Sequence, residues 1–281
     1  MKYAAALAAI ALAVVAGSAV AGDKPPVVVE LYTSQGCSSC PPADALLAKL
    51  ANQSDRNGVI AMSLPVTYWD LLGWKDTLAS DANTRRQKAY AAAMGRGGVY
   101  TPQIIVDGVT DVVGNRAEKV AAAIEAIQKA RETAEDTQED QDDNEQSTTA
   151  PKHPRKVLAK LPPVAVALLQ APQALRVAIA AAPPAAKTAA PNATIWVFRL
   201  RSSATVRIDA GENSGRTMTY RNIVVGPIKE VGRWNGKAVT LDIPHIASPP
   251  HDGLVVLVQQ GGYGRVLGAA YLARTDYCAS K

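Results

Sequence analysis

Cys37 and Cys40 are separated by two serines and followed at once by Pro41-Pro42-Ala43-Asp44. Two thiols at this spacing can close a small disulfide, and a pair that opens and closes stores or delivers two electrons. The apolar run 27–32 before them reads as a strand buried on both faces, and 43–50 as a helix with Leu46, Leu47 and Leu50 on one stripe. The start of a helix offers unpaired backbone N–H groups that favour a thiolate. Thiol–disulfide exchange is therefore the leading expectation. Proline suits a first helical turn. If Pro41 opens the helix, Cys37 lies slightly before its end and feels the dipole less. Three other uses of the pair stay open. An oxidising compartment could keep it closed as an inert disulfide. A zinc site would need four ligands, and no second Cys-x-x-Cys exists. A copper site would want histidine or methionine nearby, and His153, His245 and His251 all fall in the later half.

Other side chains carry less. Tyr68, Trp69 and Trp74 follow an apolar strand over 59–65, at the sheet end where open α/β folds place their sites. They either line a groove beside Cys37 or pack as a cap. Arg85 and Arg86 read as charges on a helix surface. Cys278 is a third, spare thiol near the C-terminus, with a mixed disulfide to Cys37 as the minor alternative. Residues 211–215, Gly-Glu-Asn-Ser-Gly, read as a turn between strands, with a binding loop as the alternative. No phosphate-cradling glycine loop, His-Glu-x-x-His or nucleophile elbow is present, and no cofactor is expected.

The elements that must position these residues alternate at first. Helix is expected over 81–94 with Ser80 or Asp81 as its cap. A hairpin follows over 103–106 and 111–113 around Asp107-Gly108, and then a helix capped by Asn115 with Val120, Ala123, Ile124 and Ile127 on one face. The order βαβαββα predicts an alternating α/β sheet ending in an antiparallel hairpin. Residues 133–154 crowd seven carboxylates together without apolar periodicity and read as an acidic, extended linker. Beyond it, strands are expected at 164–169, 174–180, 194–200, 205–209, 217–225, 238–243, 254–259 and 266–272, an all-β, sandwich-like pattern. The Ala-rich segment 175–182 is the one with a helical alternative.

Residues 1–21 have the form of an export signal: Lys2, an apolar run, then Ala19-Val20-Ala21. The expected boundaries are thus 1–21 signal peptide, 22–132 first domain, 133–154 linker and 155–281 β-rich domain, in a chain of 281 residues. The location is expected to be periplasmic or secreted, with no membrane span after signal removal. The net charge of +5 is scattered, with no basic stripe interleaved with aromatics, so nucleic acid is not an expected partner. A protein or small-thiol redox partner is.

Residues 27–131 resemble a thioredoxin fold: strand, Cys-x-x-Cys, helix, and a Thr101-Pro102 step before a later strand. The segments 32–44, 68–76 and 100–103, with 211–222 in the second half, are similar to a narrower group, secreted bacterial thioredoxin-like proteins carrying a domain of unknown function. The fold class implied is an α/β thioredoxin-like domain followed by an all-β sandwich-like domain. The resemblance implies that Cys37 attacks, Cys40 resolves, and Pro102 is a cis-proline facing the disulfide; Thr101 and Trp69 are auxiliary candidates of the site. Glu30, one position farther from the cysteine than the buried acid of thioredoxins, is either the proton acceptor for Cys40 or a strand-edge or salt-bridged carboxylate. A bulge at Ser34-Gln35 would restore that acid's usual place. Gly36 stands where thioredoxins carry an aromatic. The alternative functions are a non-catalytic binding module with a structural disulfide and a periplasmic copper-handling protein.

Overall fold

The computed structural model describes residues 25–53, 58–139, 163–170, 174–182, 192–244 and 251–273. The signal-like segment, residues 140–154 of the expected linker, His153, His245 and Cys278 lie outside them.

The first half follows the expected order. Strand β1 (Val27–Thr33) leads through the cysteine turn into α1 (Pro41–Asn52), then β2 (Val59–Pro65), a 3₁₀ helix (Thr67–Leu72), α2 (Asp81–Ala93), the hairpin β3 (Gln103–Val106) and β4 (Thr110–Val113), and α3 (Ala117–Glu139). β1 pairs parallel with β2 and antiparallel with β3, in a register unbroken from Val27↔Val59 to Thr33↔Pro65; Ser34-Gln35, the candidate bulge site, lies in the turn beyond the strand. Alternate side chains of a strand face opposite ways. Val27, Val29 and Leu31 pack under α1 and α3 against Leu47, Val120, Ile124 and Ile127. Val28 and Tyr32 face the other way, into a core with Tyr90 of α2. Ser80 is the cap of α2, its Oγ accepting from Asn83 N at 3.3 Å. α3 continues to Glu139, seven residues into the expected linker. The segment lacks an apolar stripe, but Ala, Glu and Gln are good helix formers and extend a helix already nucleated.

The second half contributes β5 (Val166–Gln170), β6 (Ala174–Ile179), β7 (Ala193–Arg207), β8 (Thr217–Val224), β9 (Lys229–Trp234), β10 (Val239–Pro244), β11 (Gly253–Gln260) and β12 (Val266–Ala273). The alternating burial of 174–179 makes it a strand rather than a helix. The strands expected at 194–200 and 205–209 are one long β7, and β9 was not foreseen.

The sheets do not divide where the expected domains do. Nine strands from both halves form one sheet, ordered β12-β11-β7-β8-β2-β1-β3-β4, with β9 also on β7. The join is a single parallel bridge, Ser63↔Ile223, beside which Asn222 Nδ2 donates to Ala61 O at 3.0 Å. One apolar cluster holds Val28, Tyr32, Ile60, Leu64 and Tyr90 together with Phe198, Leu200, Val224, Val255 and Leu257. A separate three-stranded sheet, β10-β6-β5, packs Leu168, Val177 and Ile179 against Ile195, Val256 and Val258 of the large one.

The halves also meet at the β3–β4 turn. In the three-residue connection 107–109, Asp107 carries φ 55° and Gly108 φ 68°, and Val109 N closes the turn by donating to Val106 O at 3.0 Å. A Cβ on Gly108 would lie 2.0 Å from the carbonyl oxygen of Gly264 in the β11–β12 turn. Gly108→Ala is expected to remove at least about 2 kcal/mol of stability, through left-handed strain and displacement of that backbone. A shift of the urea midpoint at constant slope measures it.

Candidate functional site

The cysteine turn leaves the end of β1 and enters α1 at Pro41, with Cys40 as the helix cap. Cys37 therefore precedes the helix by a full turn, as the two prolines suggested. Cys37 and Cys40 form a disulfide, Cα–Cα 5.4 Å, and both cysteines are 0 % exposed, while Ser38 and Ser39 between them face solvent. Cys37 Sγ lies 3.4 Å from Ser39 Oγ. The Thr101–Pro102 bond is cis, and Pro102 is buried. It enters β3 where Gln103 pairs with Tyr32, at the end of β1 from which the turn departs. Gly114 packs close here: a Cβ on it would stand 3.2 Å from Pro102, Leu31 and Ala43.

The backbone of the turn is pinned from several directions. Gln35 N donates to Asp76 Oδ2 at 2.8 Å, and Gln35 Oε1 accepts from Trp74 Nε1 at 2.8 Å. Trp69 is half-buried and stands over Gly36, where a Cβ would meet its own Cβ at 3.4 Å. A large side chain at 36 would displace Trp69. Beside it Leu71 is 90 % exposed.

Glu30 is not beneath the cysteines. It projects from β1 with Val28 and Tyr32, on the face opposite α1, and is held by Arg86: Nε to Oε2 at 2.6 Å, Nη2 to Oε1 at 2.8 Å. Tyr90 OH donates to it at 2.6 Å and Tyr32 OH at 3.1 Å. Of its two expected roles, Glu30 fills that of the salt-bridged carboxylate. Arg86, expected on a helix surface, is 2 % exposed. It also reaches Gln259 Oε1 at 3.0 Å and lies 4.8 Å from the Phe198 ring, which ties α2 to the second half.

Asp44 is a carboxylate of α1, the helix that Cys40 caps. One turn along α1 from Cys40, its backbone N–H donates to Cys40 O at 3.1 Å. It is buried, and neither carboxylate oxygen has a hydrogen-bond partner among the described residues. Burial pushes its pKa up to about 8, Thr33 opposing and Asp76 adding to the shift. The four-residue spacing from Cys40 was a legible signal, since i and i+4 share a helix face.

Two further residues come from far along the chain. Asn213 Nδ2 donates to the carbonyl oxygens of Gln35 and Cys37, both at 2.9 Å, and Glu212 Oε2 accepts from Ser38 N at 2.9 Å. Nothing local in the sequence places residues 211–215 on a turn some 175 residues earlier. Among the described residues, no three His, Cys, Asp or Glu side chains group as a metal site, and no helix is long and apolar enough to cross a membrane.

The chain is similar to the crystal structure of an Agrobacterium tumefaciens protein at 30 % identity and a TM-score of 0.69, over 90 % of this chain and 96 % of that one. HBP35 of Porphyromonas gingivalis shares the fold at 12 % identity and a TM-score of 0.54, over 89 % of this chain and 75 % of that one. A search of curated proteins gives no match. The sequence matches a family over residues 28–178 and again over 155–259, so that both halves are included. The chain belongs to that family, described as protein of unknown function (DUF1223).

Proposed function

We propose that the protein is an exported thiol–disulfide exchange protein whose first half is thioredoxin-like, working through Cys37 and Cys40. The observation that carries the reading is a Cys-x-x-Cys disulfide capping α1, with a cis-proline entering the neighbouring strand beside it. The signal-like residues 1–21 support a periplasmic or secreted location.

In the reducing direction the Cys37 thiolate attacks one sulfur of a partner disulfide. A mixed disulfide forms and one partner thiolate leaves. Cys40, once deprotonated, attacks Cys37 Sγ, closes the intramolecular disulfide and releases the second partner thiolate. The partner gains two electrons and the pair loses them; the reverse sequence oxidises a partner. Asp44, one turn along α1 from Cys40, is the group suited to take the Cys40 proton, because its carboxyl titrates near neutrality.

The complete burial of both cysteines favours a second reading, a binding module with a structural disulfide. Equilibration of the mature protein in graded glutathione buffers, with Cys278→Ser as control and alkylated thiols counted by mass, separates the two. A potential between roughly −120 and −270 mV is expected for exchange, and Cys40→Ser should then trap covalent partners in the periplasm. A potential below about −300 mV marks a structural disulfide and overturns the proposal.

A further inference from the structure

The loop between β7 and β8 makes its bonds to the cysteine turn through main-chain groups of that turn. Asn213, 1 % exposed, spans two carbonyl oxygens with its one amide group, and Glu212 holds the N–H of the exposed Ser38. These groups flank Cys37 on both sides, so the loop grips the segment that must rearrange when the disulfide opens.

The loop is built as a unit. Ser214 N donates to Gly211 O at 3.1 Å, Arg216 N to Asn213 O at 3.2 Å, and Gly215 N to Ile208 O at 2.7 Å. Gly211 and Gly215 bound it at φ 75° and 81°, backbone states that glycine adopts without strain. Its closed position is not fully satisfied. Asn213 Oδ1 is buried with no partner among the described residues, a cost that offsets part of what the two bonds from its amide contribute. A contact of this balance can release.

We infer that residues 211–215 are a latch that gates thiol access to the Cys37–Cys40 disulfide, with Asn213 and Glu212 as its positioning residues. The inference rests on the exchange reading for its biological use, since only a disulfide that reacts benefits from a gate. Attack on a disulfide needs approach to a sulfur, and rate depends on that access. With the loop down, neither cysteine is accessible. A partner must lift it, or arrive while it is up. The carboxylate of Glu212 adds a charge that opposes an incoming thiolate, so the latch also discriminates by charge when closed.

The test is the second-order rate of reduction of the full-length mature protein. Two reductants are used: glutathione, whose thiolate displaces one protein thiolate to form a mixed disulfide that a second glutathione resolves as oxidised glutathione, and an uncharged trialkylphosphine, which displaces one protein thiolate to form a thiophosphonium that water hydrolyses to the second protein thiol and the phosphine oxide. Asn213→Ala is expected to speed both at least about tenfold, the effect of losing two neutral hydrogen bonds. Glu212→Gln, an exposed substitution that leaves the fold intact, should speed both about threefold, because the bond from Ser38 loses its charge assistance.

If both variants react within twofold of wild type, the latch is overturned while the exchange reading stands on its potential. Acceleration by glutathione alone also overturns it, since that outcome is charge screening without a gate. Should wild type and variants alike resist both reductants, latch and exchange fall together. Variants that react fast at a potential below the exchange window keep the latch and overturn exchange.

Discussion

Arg86→Ala is expected to lower the stability of the whole protein by about 3–5 kcal/mol, and to do so in both halves at once. The guanidinium meets Glu30 through two parallel bonds of 2.6 and 2.8 Å, with both side chains almost fully buried. Truncation leaves a buried carboxylate with only the hydroxyls of Tyr90 and Tyr32 as partners. It also removes the bond to Gln259 and the cation lying over the rings of Phe198, Trp196 and Tyr263, contacts that cross to the second half. Lysine would not rescue it, because one ammonium cannot reproduce a planar fork over a carboxylate and an amide oxygen. Replacing both partners by apolar residues, Glu30→Leu with Arg86→Met, should cost less than Arg86→Ala alone, since no charge is then stranded. Urea unfolding followed by tryptophan fluorescence reads the result from both sides, with Trp69 and Trp74 in the first half and Trp196 and Trp234 in the second. A shared core predicts one transition that moves as a unit. Two separate transitions would show that the halves unfold independently despite their common sheet.

That coupling explains how far the sequence could be read. The elements of the first half were legible because each is fixed locally: the β1 run, the prolines opening α1, the Asp107-Gly108 turn, and the stripe through Val120, Ile124 and Ile127. The Cys37–Cys40 pair was legible for the same reason, whereas the cis form of the Thr101–Pro102 bond was an expectation of the resemblance alone. What escaped was set by partners distant in the chain. Arg86 looks like a surface charge on α2 until β7 and β11 bring Phe198 and Gln259 over it. Separate domains were expected because an acidic segment intervenes, yet strand pairing follows exposed edges, and the free edge of β2 accepts β8. Glu30 and Asp44 show a subtler limit. Both are acids near the cysteines, and only the alternation of β1 decides that the first faces α2 while the second shares α1 with Cys40.

Asp44→Asn is expected to stabilise the protein at pH 8 and to flatten its stability between pH 4 and pH 8. The sign follows from linkage. Burial raises the folded pKa of Asp44 from 3.8 to about 8, so in this window the unfolded chain has already lost a proton that the folded protein keeps. Stability then falls as pH rises from about 4, and the decline ends once the folded carboxyl has ionised above about 8. At 1.36 kcal/mol per pH unit the loss over this shift of about four units approaches roughly 6 kcal/mol in total. Asparagine fills nearly the same volume and cannot titrate, so the variant should lack this slope, and at pH 8 its buried amide costs less than the ionised carboxylate it replaces. Urea midpoints at pH 5 and pH 8 measure the difference between the two proteins. The same substitution tests the chemistry. If Asp44 accepts the Cys40 proton, release of a trapped partner from Cys37 should slow by about 10²–10⁴-fold, and its pH profile should lose the inflection near 8. A flattened stability profile with an unchanged release rate would confine Asp44 to the fold and leave Cys40 to lose its proton directly to solvent.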